Sequence, residues 1–126
     1  FRRVLFRSSY EIKTDYYRVI DCIQDSLKRF ATGTYIVWYP IVPRPEAHDL
    51  PRKLKTLCMQ AKKPWLHASL AIGRASGGDD TGLSASGMFL VNPPYTLKPL
   101  LNEALPVVEE ALARGPGRGW TVESGG

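Results

Sequence analysis

Apolar residues in the first part of the chain recur at the spacing of an α-helix. Six of them fall on one stripe: Tyr16, Val19, Ile20, Ile23, Leu27 and Phe30. This pattern predicts a helix over residues 15–31. Thr14 is suited to cap its start, and Gly33 can adopt the left-handed backbone that ends a helix.

A strand and a second helix are predicted to follow. The segment Thr34–Tyr39 is rich in β-branched and aromatic residues without polar alternation, which is typical of a strand covered on both faces. The second helix is expected to begin after Asp49, with Pro51 in its first turn, and to end before Pro64. Its apolar stripe consists of Leu50, Leu54, Leu57, Cys58 and Ala61.

The next two apolar segments predict an antiparallel hairpin. Trp65–Ile72 alternates apolar with less apolar residues, and a polar link that contains glycines joins it to the apolar run Ser86–Val91. We expect this hairpin to form the edge of the sheet. Its loop around residues 77–80 is expected to be mobile, because a loop of this composition buries little apolar surface.

The end of the chain predicts one more helix and one more strand. The helical pattern begins at Thr96, and Pro106 is expected to kink or split it because proline lacks an amide hydrogen. Trp120–Glu123 is the predicted last strand. Because strands and helices alternate before the antiparallel pair, we predict an α/β fold with a mostly parallel sheet.

Length and composition indicate one modest globular domain. The chain has 126 residues, of which 44% are hydrophobic and 23% charged. Its longest apolar runs have the length of a strand, so no membrane-spanning segment is predicted. Cys22 and Cys58 lie among apolar neighbours at helical spacing and are expected to be buried thiols. We therefore expect a cytoplasmic protein, in a reducing compartment, without disulfides.

Positive charge is concentrated in the first half of the chain. The net charge is +5, to which residues 1–30 contribute +3, residues 43–64 contribute +4 and residues 65–126 contribute −2. A basic half is compatible with a nucleic-acid partner, because Lys and Arg neutralise phosphates, and a merely solvated helix face is the open alternative. The candidate RNA contacts are Lys13, Arg52, Lys53, Lys55 and Lys62, with Lys63 beside the last of them.

Most familiar catalytic motifs are absent from the sequence. His48 and His67 lie in different elements, and with two cysteines no zinc spacing occurs, so no metal site is predicted. No glycine-rich phosphate-binding motif is found. The run Asn92-Pro93-Pro94-Tyr95 has the pattern with which amino methyltransferases present an amine to a methyl group, but Pro-Pro also simply ends strands. The pattern alone leaves both interpretations open.

A longer set of segments resembles a known family. The runs Tyr10–Tyr16, Lys28–Tyr35, Trp38–Ile41, Ser84–Met88 and Asn92–Pro94 are similar, in order and spacing, to the C-terminal half of the RlmJ family. These bacterial enzymes methylate N6 of an adenine in 23S ribosomal RNA, using S-adenosylmethionine on a Rossmann-like fold. The resemblance covers residues 10 to about 123.

The resemblance implies a position for the catalytic motif. In the family, Asp-Pro-Pro-Tyr directly precedes the first matching run, so its tyrosine corresponds to Tyr10, which would stack on the target adenine. Ser8 and Ser9 stand where the prolines are expected. Arg7 stands at the aspartate position, and its guanidinium has no acceptor for the adenine amine. The motif at Asn92 then corresponds to a later strand end, away from the chemistry.

The resemblance also implies what this chain contains. Residues 1–9 are expected to be a junction foreign to the family, or a truncated strand that includes Arg3–Phe6. Residues 10–126 would be the C-terminal part of a class I S-adenosylmethionine-dependent methyltransferase domain, with a Rossmann-like sheet that ends in an antiparallel hairpin.

The cofactor site would lie in the missing N-terminal half of the domain. We therefore expect this chain alone to be inactive and not to bind S-adenosylmethionine. The expected partners are 23S ribosomal RNA and that missing half, with no membrane. The alternative interpretation is a non-catalytic basic RNA-binding α/β module.

Overall fold

The computed structural model describes residues 3–6, 13–73 and 84–126. In this part of the chain, a five-stranded sheet packs against three helices. In chain order the elements are β1 (Arg3–Phe6), α1 (Lys13–Arg29), β2 (Thr34–Pro40), α2 (Pro45–Ala61), β3 (Trp65–Ile72), β4 (Ala85–Val91), α3 (Leu97–Leu112) and β5 (Arg118–Gly125). The predicted α/β class is confirmed.

The prediction of a mostly parallel sheet is wrong. The strand order is β1-β2-β4-β3-β5, and only β1 and β2 pair in parallel. The other three pairings are antiparallel. The difference arises because β4 folds back along β3 and lies between β3 and β2, so β2 and β3, which run in the same direction, are not neighbours.

The predicted hairpin forms, but it does not lie at the edge of the sheet. β3 and β4 pair antiparallel, from Trp65 opposite Val91 to Ala71 opposite Ala85. β5 covers the other side of β3, so among the described residues the edge strands are β1 and β5. The predicted last strand, Trp120–Glu123, is shorter than β5, because the additional residues of β5 are mostly polar or glycine and give no apolar signal. The hairpin loop at residues 77–80 lies outside the described residues.

The helices keep their predicted places with different ends. α1 is two residues offset from the expected range, so Thr14 lies inside its first turn and Phe30 follows its last residue. α2 begins at Pro45, well before Asp49, because proline suits the first helical position. α3 is one continuous helix through Pro106, since a single missing amide leaves the neighbouring turns bonded.

Two apolar layers cover the two faces of the sheet. On one face, α1 and α2 bury Tyr16, Val19, Ile23, Leu27, Leu50, Leu54 and Cys58 against Tyr35, Val37, Tyr39, Phe89 and Val91. On the other face, a smaller layer joins Leu66, Ala68 and Leu90 to half-buried leucines of α3. α3 buries no residue fully, so the main layer carries most of the apolar stabilisation.

The two cysteines differ in exposure. Cys58 lies fully buried in the main layer, where burial raises the pKa of its thiol to about 11. Cys22 is exposed, against expectation, because it lies outside the buried stripe of α1. Both thiols are free. In the part of the chain that the structure describes, no helix has the length and apolar character needed to cross a membrane.

One pair of substitutions tests where the stability lies. Leu54 is fully buried in the main layer, whereas Leu100 on α3 is 58% exposed. We expect Leu54→Ala to lower the free energy of unfolding by about 2–5 kcal/mol, since it leaves a cavity. Leu100→Ala is the matched control and should cost less than about 0.5 kcal/mol. Equal losses in urea unfolding would contradict the assignment of the core.

Candidate functional site

By the resemblance, the family's catalytic motif corresponds to residues 7–10, which follow β1 in the sequence. Arg7, Ser8, Ser9 and Tyr10 lie outside the described residues, but the elements on both sides of them are described. β1 is parallel to β2, with Phe6 opposite Val37, so both strands finish at the same end of the sheet. We call this the carboxyl end. Ligands of α/β sheets generally bind beyond the carboxyl ends of the strands.

The candidate RNA residues on α2 separate into two groups. Arg52 and Lys53 project from exposed positions in the middle of the helix. Arg52 forms an ion pair with Asp49, and the Lys53 ammonium lies 4.6 Å from the centre of the Tyr17 ring. Lys13 is the first residue of α1. Arg52 and Lys53 lie at the surface, where a ligand can reach them.

Lys55 and Lys62 have roles in the fold. Lys55 forms an ion pair with Glu123 of β5, and its ammonium lies 5.1 Å from the centre of the Trp65 ring. Lys62 adopts the left-handed backbone that ends α2, and the amides of Lys62 and Lys63 close the last turn. We therefore assign Lys55 to the fold rather than to an RNA contact.

A groove between α1 and α2 brings together residues that the sequence analysis did not select. Its open part has a volume of about 340 Å³. The residues that define this α1–α2 groove are Gln24, Leu27, Lys28, Leu57, Gln60 and Lys63. Of these, only Lys63 was named from the sequence beside the candidate RNA contacts. A helical projection could have placed Gln24 and Gln60 beside the apolar stripes of their helices. It could not have shown that the two helices face each other across one groove.

A polar cluster crosses the sheet beneath α2. The Tyr39 hydroxyl lies 2.5 Å from Nε2 of His67, and Nδ1 of His67 lies 3.0 Å from Oε1 of Glu123. The carboxylate requires a proton on Nδ1, so Nε2 accepts a hydrogen bond from the tyrosine. The cluster connects β2, β3 and β5, and Lys55 extends it to α2. His67 is thus a structural histidine.

Gly87 allows this cluster to form. Tyr39 and His67 lie on strands that flank β4, and the Tyr39 ring passes over Gly87 to reach His67. A Cβ atom at Gly87 would lie 2.3 Å from Cζ of Tyr39, which is shorter than any real contact. The ring and a side chain at this position therefore exclude each other.

Asn92 forms hydrogen bonds at the end of the sheet opposite to the carboxyl end of β1 and β2. Its backbone has a φ of 56°, and its Nδ2 donates to the carbonyls of Ala31, at 2.9 Å, and Gly33, at 2.8 Å. The Thr34 hydroxyl donates to the Asn92 carbonyl, and the Asn92 amide donates to the carbonyl of Pro64. The side-chain NH2 group of Asn92 thus already donates to two backbone carbonyls of this protein. These contacts favour the strand-end interpretation of the Asn-Pro-Pro motif.

Two of the described glycines, Gly73 and Gly87, have no free space beside the backbone for a cofactor. A cofactor cradle needs glycines that leave open space near the backbone. Here the space above Gly87 is filled by Tyr39, and a Cβ atom at Gly73 would lie 2.2 Å from the carbonyl oxygen of Gly115. Likewise, no cluster that could hold a metal ion occurs within the described ranges.

Comparison with known proteins identifies the family. The family described as ribosomal RNA large subunit methyltransferase D, RlmJ, matches residues 2–124. This chain belongs to the RlmJ family. The resemblance noted from the sequence is thereby confirmed. The boundary expected at residue 10 stays a prediction.

Relatives of known name cover nearly all of this chain. Ribosomal RNA large subunit methyltransferase J of Haemophilus influenzae is 40% identical over 120 residues, which are 95% of this chain and 41% of that protein. The protein of the same name from Escherichia coli K12 is 37% identical over 109 residues, or 86% of this chain and 37% of that protein. The chain thus spans about two fifths of its curated relatives.

A solved structure shows the same fold. The crystal structure of a Legionella pneumophila protein superposes with a TM-score of 0.80 at 24% identity. The superposition covers 98% of this chain and 43% of that chain. The fold described above is therefore shared with 43% of that longer chain.

Replacement of Gly87 tests the polar cluster. We expect Gly87→Ala to lower the free energy of unfolding by about 2–4 kcal/mol, because the new methyl group displaces the Tyr39 ring and leaves buried polar atoms without partners. Gly119→Ala on β5 is the matched control, since a Cβ atom there meets nothing within 4 Å. The two variants should differ in thermal melting. A normal melting temperature for Gly87→Ala would contradict the cluster's geometry.

Glu123 gives the cluster a pH dependence. Hydrogen bonds from Lys55 first, and from His67 second, lower the pKa of Glu123 below its ordinary value of 4.5. A lowered folded-state pKa adds stability above the unfolded pKa, and this stability is lost as the pH falls through the folded pKa. Glu123→Gln should therefore lower the melting temperature at pH 7. The difference from the parent chain should shrink progressively below about pH 4.5. A difference that is constant from pH 7 to pH 3 would argue against these bonds.

Proposed function

We propose that the protein to which this chain belongs methylates N6 of an adenine in 23S ribosomal RNA, with S-adenosylmethionine as the methyl donor. The observation that carries the proposal is the family match over residues 2–124. The 40% identity to a protein named ribosomal RNA large subunit methyltransferase J supports it. The reaction would take place in the cytoplasm.

Within this proposal, the chain contributes the base-binding side of the site. Tyr10 would stack on the target adenine, and α1 and α2 begin near the carboxyl end of β1 and β2. Gly73 and Gly87, two of the described glycines, leave no free space for a cofactor beside the backbone. The rest of the domain, and not this chain, would therefore bind the methyl donor, and this chain alone would be inactive.

Arg7 marks where this sequence departs from the family. The family has an aspartate at this position, whose oxygen can accept a hydrogen bond from the adenine amine, and a guanidinium only donates. A non-catalytic RNA-binding module is therefore the second candidate. The exposed cations Arg52 and Lys53 on α2 favour it, because binding phosphates requires no cofactor.

A chimeric enzyme distinguishes the two candidates. Residues 10–126 would replace the matching segment of the Haemophilus influenzae relative, which then supplies the cofactor half and the Asp-Pro-Pro. We expect methyl transfer to 23S ribosomal RNA from cells that lack the native enzyme. Tyr10→Ala should lower the rate by about 100-fold, since the adenine loses its position. Tyr10→Phe keeps an aromatic ring and should retain most of the activity.

Methyl transfer and RNA binding by the chimera distinguish the enzyme from the binding module. Methyl incorporation at adenine N6 that depends on an aromatic residue at position 10 supports the proposal. A folded chimera that binds RNA without methyl transfer would favour the binding module. Equal activity of the Tyr10→Ala and Tyr10→Phe chimeras would contradict the stacking role.

A further inference from the structure

The α1–α2 groove has the composition of a nucleotide-binding surface. Lys28 and Gln24 approach it from α1, and Lys63 and Gln60 from the end of α2. Leu27 and Leu57 lie between them as an apolar floor. Cations can contact phosphates, amides can contact base edges, and an apolar floor can receive a base or a ribose.

The two lysines of the groove are not neutralised. No carboxylate of the described residues lies within ion-pair distance of Lys28 or Lys63, and no acidic residue lines this part of the groove. The nearby Asp25 pairs with Arg29 at 3.4 Å. This sets the two lysines apart from Lys55, which an ion pair with Glu123 occupies. The groove therefore attracts an anion.

The groove continues along the helices. α1 and α2 both run from the carboxyl end of the sheet to the opposite end, because each follows a strand that finishes there. The adjoining depression is lined by Gln24, Arg52, Lys53, Thr56 and Gln60. From Lys53 to Ala61, the last residue of α2, the helical rise is about 12 Å, a length of a few nucleotides.

We propose that the α1–α2 groove binds single-stranded RNA that leads to the carboxyl end of the sheet. Lys28 and Lys63 contact phosphates, and Gln24 and Gln60 contact bases. The inference rests on the proposed function, in which the substrate is ribosomal RNA, and it names a docking surface away from the methyl-transfer site. Single-stranded RNA is favoured over a duplex, because amides and an apolar floor need exposed bases as partners.

Fluorescence anisotropy with a labelled 12-nucleotide RNA tests the proposal. The variant Lys28→Gln/Lys63→Gln removes the two groove cations. The control Lys98→Gln/Arg114→Gln removes the same charge from the α3 side of the sheet, where Lys98 contacts Ser124. Lys28, Lys98 and Arg114 are exposed and Lys63 is half-buried. The circular dichroism spectra and melting temperatures of both variants should match those of the parent chain.

The two variants should differ in salt dependence. We expect the groove variant to bind about tenfold more weakly at low salt, and the slope of log K against log salt to fall by about 1.4, because two phosphate contacts are lost. The control should stay within about twofold of the parent chain and keep its slope. In the chimera described above, the groove variant should raise KM and leave kcat unchanged.

Different results would contradict the groove, the preference for single-stranded RNA and the proposed function. Equal affinities of the groove variant and the control would overturn the groove as the docking surface, while RNA binding itself remained. A parent chain that binds a duplex of equal length more tightly than the single strand would overturn the single-strand assignment. If the chimera transfers methyl groups with an unchanged KM in the groove variant, the proposed function survives and the groove does not. If the chimera neither binds RNA nor transfers methyl groups, both fail.

Discussion

The passage of the Tyr39 ring over Gly87 is the contact on which the arrangement of this protein depends most. β4 separates β2 from β3, so a side chain of β2 can reach His67 only by crossing β4 at a residue without a side chain. The crossing connects β2 to β3, Glu123 connects β3 to β5, and Lys55 connects β5 to α2. The position of α2 on the sheet, and hence of the α1–α2 groove, follows from this chain of contacts.

A second set of contacts determines the opposite end of the groove. Asn92 joins the turn after α1 to the turn before β3, through the carbonyls of Ala31, Gly33 and Pro64. Lys28 and Lys63 lie close to these two turns in the chain. The Asn-Pro-Pro motif, which by pattern alone could have been catalytic, thus acts through backbone hydrogen bonds that keep two helix ends in register.

The sequence predicted the elements of the fold better than their arrangement. Helical periodicity and β-branched runs are local signals, so α1, β2, β3 and β4 could be located from them. Strand order is decided by long-range pairing, so nothing local indicated that β4 would lie between β2 and β3. For the same reason the exposure of Cys22 was missed, since helical spacing shows neighbours along the helix but not which side meets the sheet.

The candidate site was predictable to a similar extent. Counting charges identified a basic half, but it could not show that Lys55 pairs with Glu123, 68 residues away in the chain. It also could not show that Lys28 and Lys63 face one groove, because this depends on how two helices are rotated on the sheet. The family was recognisable from short motif runs, since these carry information that periodicity does not.

We propose that the protein of which this chain is a part methylates an adenine of 23S ribosomal RNA. The most direct measurement is the N6-methyladenine content of 23S ribosomal RNA, by mass spectrometry, in source cells with and without the encoding gene. We expect one N6-methyladenine to disappear when the gene is removed and to return when the gene is restored. An unchanged set of methylated adenines in both strains would contradict it.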